Sequence, residues 1–108
     1  ERPKLLDLIK NAKYIVSESS GSMAMGEYMT GDRKGNEIIK SIGILKNTII
    51  EVHYTEKGRQ KLLIDSMKKS GMKYGVGIDC ATALVVDSLE FPSKRDKVGV
   101  GNVYVKTA

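Results

Sequence analysis

Tyr14-Ile15-Val16-Ser17-Glu18-Ser19-Ser20-Gly21-Ser22-Met23-Ala24-Met25 is the stretch whose reading decides the fold. A short β-branched run meets a cluster of small residues, and a Met/Ala-rich pattern follows at once. That order predicts a strand over 13–16, a sharp turn, and a helix over 20–29 with Met25 and Met29 on one face. A serine at the apex of a strand–turn–helix elbow projects above its sheet. Small residues two before and two after it, here Ser17 and Gly21, let the backbone fold tightly around Ser19. A serine hydroxyl attacks only with a base beside it, usually histidine, and donors for the oxyanion that develops. The chain has a single histidine, His53. Taken alone, a serine-rich turn that caps a helix and a packed strand histidine are the simpler readings.

Outward from this stretch the pattern is mixed. Leu5, Leu6 and Ile9 make an apolar stripe over 3–11, with Pro3 suited to a first helical turn. Residues 30–36 are polar with two glycines and predict a loop. Thr48 to Tyr54 predicts a strand that carries His53. Thr55 is placed to cap a helix running to about Ser70, which carries Leu62, Leu63, Ile64 and Met67, with Gly71 as its stop. Residues 74–79 and 81–88 predict strands, 91–97 a charged loop, and 98–106 a closing strand. Together these predict an α/β fold. It is a layered, mostly parallel sheet with a nucleophile elbow and a C-terminal β extension. The strands are too few for a doubly wound sheet covered on both faces. The expected setting is therefore a larger doubly wound fold, with partner strands from residues outside this stretch or from another subunit.

Composition bounds the function. A length of 108 residues suits one domain, 1–108. The chain opens at Glu1 and not at methionine, as expected of a processed product or part of a longer chain. Its apolar runs are far too short for a membrane span, and no secretory signal is visible. One cysteine, Cys80, excludes an internal disulfide and points to a reducing, cytoplasmic setting. One cysteine and one histidine also argue against a structural metal site, and no cofactor is expected. The net charge of +5 favours anionic partners. Five Tyr, one Phe and no Trp give thin support for nucleic-acid binding.

Four blocks in order resemble the cyanophycinase and peptidase E family of serine peptidases. The elbow Ser17-Glu18-Ser19-Ser20-Gly21 precedes Met23-Ala24-Met25. The run Ile49-Ile50-Glu51-Val52-His53-Tyr54 leads to Gly58-Arg59. Gly77-Ile78-Asp79-Cys80-Ala81-Thr82-Ala83 follows, and Gly99-Val100-Gly101-Asn102-Val103-Tyr104-Val105 closes. The resemblance spans roughly Leu5 to the end and matches the family's C-terminal half. It implies Ser19 as nucleophile, His53 as general base and the Ser20 N–H as an oxyanion donor. Glu18 and Arg59 are the implied substrate contacts, with Lys57 and Lys61 nearby. The implied substrates are Asp-containing peptides, either the β-Asp-Arg polymer or dipeptides with N-terminal Asp. Ser17 replaces the family's glycine, and the front half that completes the pocket is absent. The partner expected is therefore a complementing N-terminal half or a second copy. Cys80 stands where the family carries the acid that orients the histidine. Asp79 is the first candidate to replace it, ahead of Asp32 and Glu51. The rival readings are a catalytically degenerate homologue or fragment serving as a binding subunit, and a basic nucleic-acid-binding domain. Apolar neighbours make Cys80 a buried structural thiol in this reading.

Overall fold

A computed structural model describes residues 2–18, 20–31 and 37–108. Its elements are α1 (Arg2–Lys10), α2 (Ser20–Met23), β1 (Tyr28–Thr30), β2 (Ile38–Lys40), β3 (Thr48–Val52) and α3 (Gln60–Ser70). After these come β4 (Tyr74–Ile78), β5 (Thr82–Val86), β6 (Arg95–Gly99) and β7 (Val103–Thr107).

Five strands form one sheet in the order β2-β1-β3-β4-β7, and β5 and β6 form a separate hairpin. β1, β3 and β4 run parallel, with Val52 opposite Ile78 at the carboxyl end of the β3–β4 ladder. The other three pairings, β1–β2, β4–β7 and β5–β6, are antiparallel. Among the described residues, 31 lie in strands and 24 in helices. The domain is thus a small, strand-rich, mixed α/β unit with mostly antiparallel pairing. This corrects the expected layered parallel sheet.

The physical reasons are local. The β-branched run at 13–16 finds no strand partner: Ile15 is 38% and Val16 98% exposed. The helix expected over 20–29 stops after one turn, because Gly26 is pressed against the chain at Thr48. A Cβ on Gly26 would lie 2.7 Å from the Thr48 carbonyl oxygen. Beyond it, Tyr28–Thr30 joins the sheet as β1. There is accordingly no strand–turn–helix elbow among the described residues. Residues 95–97, expected as loop, are extended with Val98 and Gly99 as β6 because β5 supplies a pairing edge; all five are exposed.

α3 covers one face of the sheet. Leu63, Ser66 and Met67 are its buried residues, at helical spacing. Leu63 and Met67 pack with Ile49, Tyr54 and Met72. On this face β4 offers Gly75 and Gly77, so helix and ring lie directly on its backbone. A Cβ on Gly75 would strike Met67, and one on Gly77 would strike the Tyr54 ring. Gly71 ends α3 in the left-handed conformation (φ 72°), and its N–H donates to Met67 O at 2.9 Å. The opposite face carries Leu45, Ile50 and Val76, covered by Met25, by Leu84 and Val86 of β5, and by Phe91.

Candidate functional site

Two neighbouring parallel strands end at the site. β3 ends at Val52 and β4 at Ile78, side by side in register. His53 follows the first and Asp79-Cys80 the second. Ligand sites of parallel α/β sheets sit beyond such carboxyl ends. Both turns are bent hard: His53 has φ 51° and Ala81 has φ 53°, values that side chains with a Cβ adopt at a cost. The His53 turn is closed by Lys57 N–H donating to His53 O at 3.0 Å and Arg59 N–H donating to Tyr54 O at 2.9 Å.

His53 Nδ1 lies 2.8 Å from Cys80 Sγ. The Cys80 N–H donates to Glu56 Oε1 at 3.1 Å, which ties the two turns together. Cys80 is half-buried and not sealed in the core, which corrects the expectation of a buried structural thiol. Burial still raises its thiol pKa above the ordinary value. Glu56 and Asp79 add to the rise and Lys57 opposes it.

Asp79 sits one residue away and has a different task. Its Oδ1 accepts Thr55 N–H at 3.0 Å and its Oδ2 accepts Asn102 N–H at 2.9 Å. The carboxylate thereby clasps the His53 turn to the start of β7. Burial pushes the Asp79 carboxyl up, but Thr55, Asn102 and Lys97 outweigh it and leave the pKa below the usual carboxylate value. The group at His53 Nδ1 is Cys80, so the structure does not bring Asp79 to the orienting place expected for it. Successive strand residues point to opposite faces, and here the chain turns without returning Asp79 to the histidine.

A trough of about 970 Å³ opens over these turns, lined by Ser17, Glu18, Ser22, His53, Asp79 and Cys80. Its floor is the apolar face at Ile50, Val52 and Ile78, and Leu84 and Val86 border it. Ser17 Oγ and Ser22 Oγ lie 3.3 Å apart, and Gly21 N–H donates to Glu18 O at 2.9 Å. Ser19 itself lies outside the described residues, as does Asp32. Ser20 opens the single turn of α2. The residues on either side of Ser19 thus share one trough with His53.

Arg59 is not brought to the trough. Its guanidinium Nη1 donates to Val52 O at 2.9 Å, and it is a charged neighbour of Glu51. Glu51 is fully buried, with Thr30 Oγ1 donating to its carboxylate at 3.1 and 3.2 Å. Burial raises the Glu51 pKa, although Thr30 and Arg59 both lower it. It lies two residues on from Ile49, which pairs with Tyr28 of β1 and packs on the α3 side of the sheet. Lys61 pairs with Asp65 on the solvent side of α3 at 2.9 Å. Sequence reasoning passed over the part Glu56 plays; its two-turn bridge depends on a meeting 24 residues apart and leaves no local signal.

Among the described residues no cluster of three or more His, Cys, Asp or Glu is placed to hold a metal. No described helix is long and apolar enough to cross a membrane. No family model, curated protein or solved structure matches the chain.

Proposed function

We propose that the chain is a serine-type hydrolase of the cyanophycinase and peptidase E kind, cleaving Asp-containing peptides. Ser19 is the nucleophile in this reading, His53 its base and the Ser20 N–H an oxyanion donor. The observation that supports it is the shared trough: Ser17, Glu18 and Ser22, which flank Ser19, line it together with His53. Glu18 stands at that trough as a substrate contact, whereas Arg59 acts on the Val52 carbonyl and supports the β3 end. A second copy or a complementing N-terminal segment completes the pocket. A cytoplasmic setting, where a lone thiol stays reduced, belongs to the same proposal.

One observation favours a second reading. The orienting position at His53 holds a thiol, which stabilises an imidazolium far less than a carboxylate does. A homologue that binds Asp-containing peptides with attenuated turnover fits this contact. Labelling with a fluorophosphonate probe separates the two. The hydrolase reading predicts labelling of the native chain that is lost in both Ser19→Ala and His53→Ala. A folded native chain that stays unlabelled while retaining an Asp-containing peptide selects the binding subunit.

A further inference from the structure

A hydrogen placed between His53 Nδ1 and Cys80 Sγ, 2.8 Å apart, has two distinct positions. On sulfur, it is donated to Nδ1, and a neutral ring then carries its own hydrogen on Nε2. On Nδ1, it leaves Nε2 bare. An imidazole nitrogen is a good acceptor, whereas a neutral sulfur is a weak one. With the thiol protonated, the first arrangement is therefore favoured. A histidine that takes a proton from a serine needs the second, with the orienting group accepting from the ring.

We propose that Cys80 is the positioning residue of His53: its thiol donates to Nδ1 and holds the ring in the Nε2–H tautomer, so the base is released only when the thiol proton leaves. The tautomer assignment stands on the contact itself. Its consequence for turnover rests on the hydrolase reading above.

The charged groups around the pair are few. Glu56 and Lys57 face Cys80 from the turn after β3, and Asp79 from the end of β4. Lys13, Glu18 and Asp87 line the same trough from the segments that border it. Glu56 and Asp79 both oppose ionisation of the thiol, and Lys57 assists it. The thiol form therefore persists through neutral pH, and release of the base falls on the alkaline side. A carboxylate at position 80 accepts from Nδ1 at neutral pH and removes the need for that release.

The chain's single histidine and single cysteine make the test direct. Long-range proton–nitrogen NMR of the native full chain reads one imidazole, and the Cys80 Cβ shift reads one thiol. At a pH where the ring is neutral and the thiol protonated, the Nε2–H pattern is expected. Raising the pH through the thiol titration should swing it to Nδ1–H. Cys80→Asp should show Nδ1–H without that titration, and Cys80→Ala should lose the pH-dependent swing to Nδ1–H and keep only the modest Nε2–H excess of a free imidazole. In the hydrolysis assay, Cys80→Asp should raise the neutral-pH rate at least ~10-fold, within the ~10⁴-fold that a wrong tautomer costs a Ser-His-Asp triad. An Nδ1–H pattern in the native chain with its thiol protonated overturns the proposal, and that measurement needs no variant. So does a native ring that stays Nε2–H when the thiol is titrated. If Cys80→Asp swings the tautomer and no Asp-containing peptide is cleaved, the assignment of Cys80 stands and the hydrolase reading falls.

Discussion

Replacing Asp79 by asparagine separates its role as a clasp from the role of triad acid. The carboxylate accepts two backbone N–H groups, from Thr55 at 3.0 Å and Asn102 at 2.9 Å, in a residue only 7% exposed. Asparagine keeps one acceptor oxygen and turns an NH₂ toward the other N–H. One charge-assisted bond, worth about 1.5–3 kcal/mol, is lost, and the other falls to the neutral strength of about 1 kcal/mol. The sum is about 3 kcal/mol. For a domain of this size each kcal/mol moves Tm by about 4–8 °C, so Asp79→Asn should melt about 12–24 °C lower. Acid titration supplies an independent reading. The folded-state pKa of Asp79 lies below the ordinary value, so its stabilisation is full above the unfolded carboxylate pKa. It is lost as pH falls through the lower, folded one. The Asp79→Asn chain should therefore show a shallower acid-side loss of stability than the native chain. Thermal melts followed by circular dichroism from neutral to acid pH measure both effects. A variant that melts like the native chain with the same acid slope refutes the clasp. One that keeps native stability but changes the His53 tautomer restores Asp79 as the triad acid.

Two other predictions concern the α3 side of the sheet. Gly77→Ala drives a methyl into the Tyr54 ring, which is 1% exposed and lies tilted against Tyr104 with ring centres 5.2 Å apart. Overpacking of this kind costs about 1–3 kcal/mol. A urea midpoint equal to the native one would count against the packing, and Tyr54→Leu should relieve part of the cost. Glu51→Gln should abolish an alkaline-side loss of stability. Because burial raises the folded-state pKa of Glu51, its folding contribution is best below the unfolded pKa and declines as pH rises toward the folded one. That decline is about 1.4 kcal/mol per pH unit between the two titrations. Urea unfolding of both chains at mildly acid and neutral pH should show the variant gaining on the native chain as pH rises; parallel pH profiles would contradict it.

Elements that depend on neighbouring residues were legible in the sequence. The strand around Ile49 and Ile50, the glycine-rich strand before Asp79 and the stop at Gly71 all follow from local pattern and appear in the structure. Elements decided at a distance were not. Met25 and Met29 stand four apart, as on a helix, yet Met29 lies in a strand because Gly26 and Tyr28 meet the strand that begins at Thr48. Thr55 has the chemistry of a cap, but Gly58 takes φ 58° and α3 starts only at Gln60. Arg95-Asp96-Lys97 carries charge on every residue and gives no strand signal; only the partner β5 extends it. The sense of pairing is equally non-local, so alternating strands and helices suggest a mostly parallel sheet where three of the five pairings are antiparallel. At the site, the contact between Cys80 and the histidine, 27 residues apart in the chain, has no local signal, and the sequence points to Asp79 for that place instead. The diversion of Asp79 to Thr55 and Asn102 has none either, since it rests on contacts 24 and 23 residues apart.

The two residues facing each other across the site inherit their spacing from the hydrogen-bonded ladder between β3 and β4, which runs in unbroken register from Thr48 and Tyr74 to Val52 and Ile78. That ladder lies in the middle of the sheet, flanked on both sides by further strands. Central, doubly flanked strands are the last to open in native-state exchange. The imidazole–thiol pair is thus mounted on the slowest-opening part of the molecule. Mild denaturant that frays α1 or the exposed 13–18 segment should leave the pair assembled, with its loss expected only together with the whole sheet.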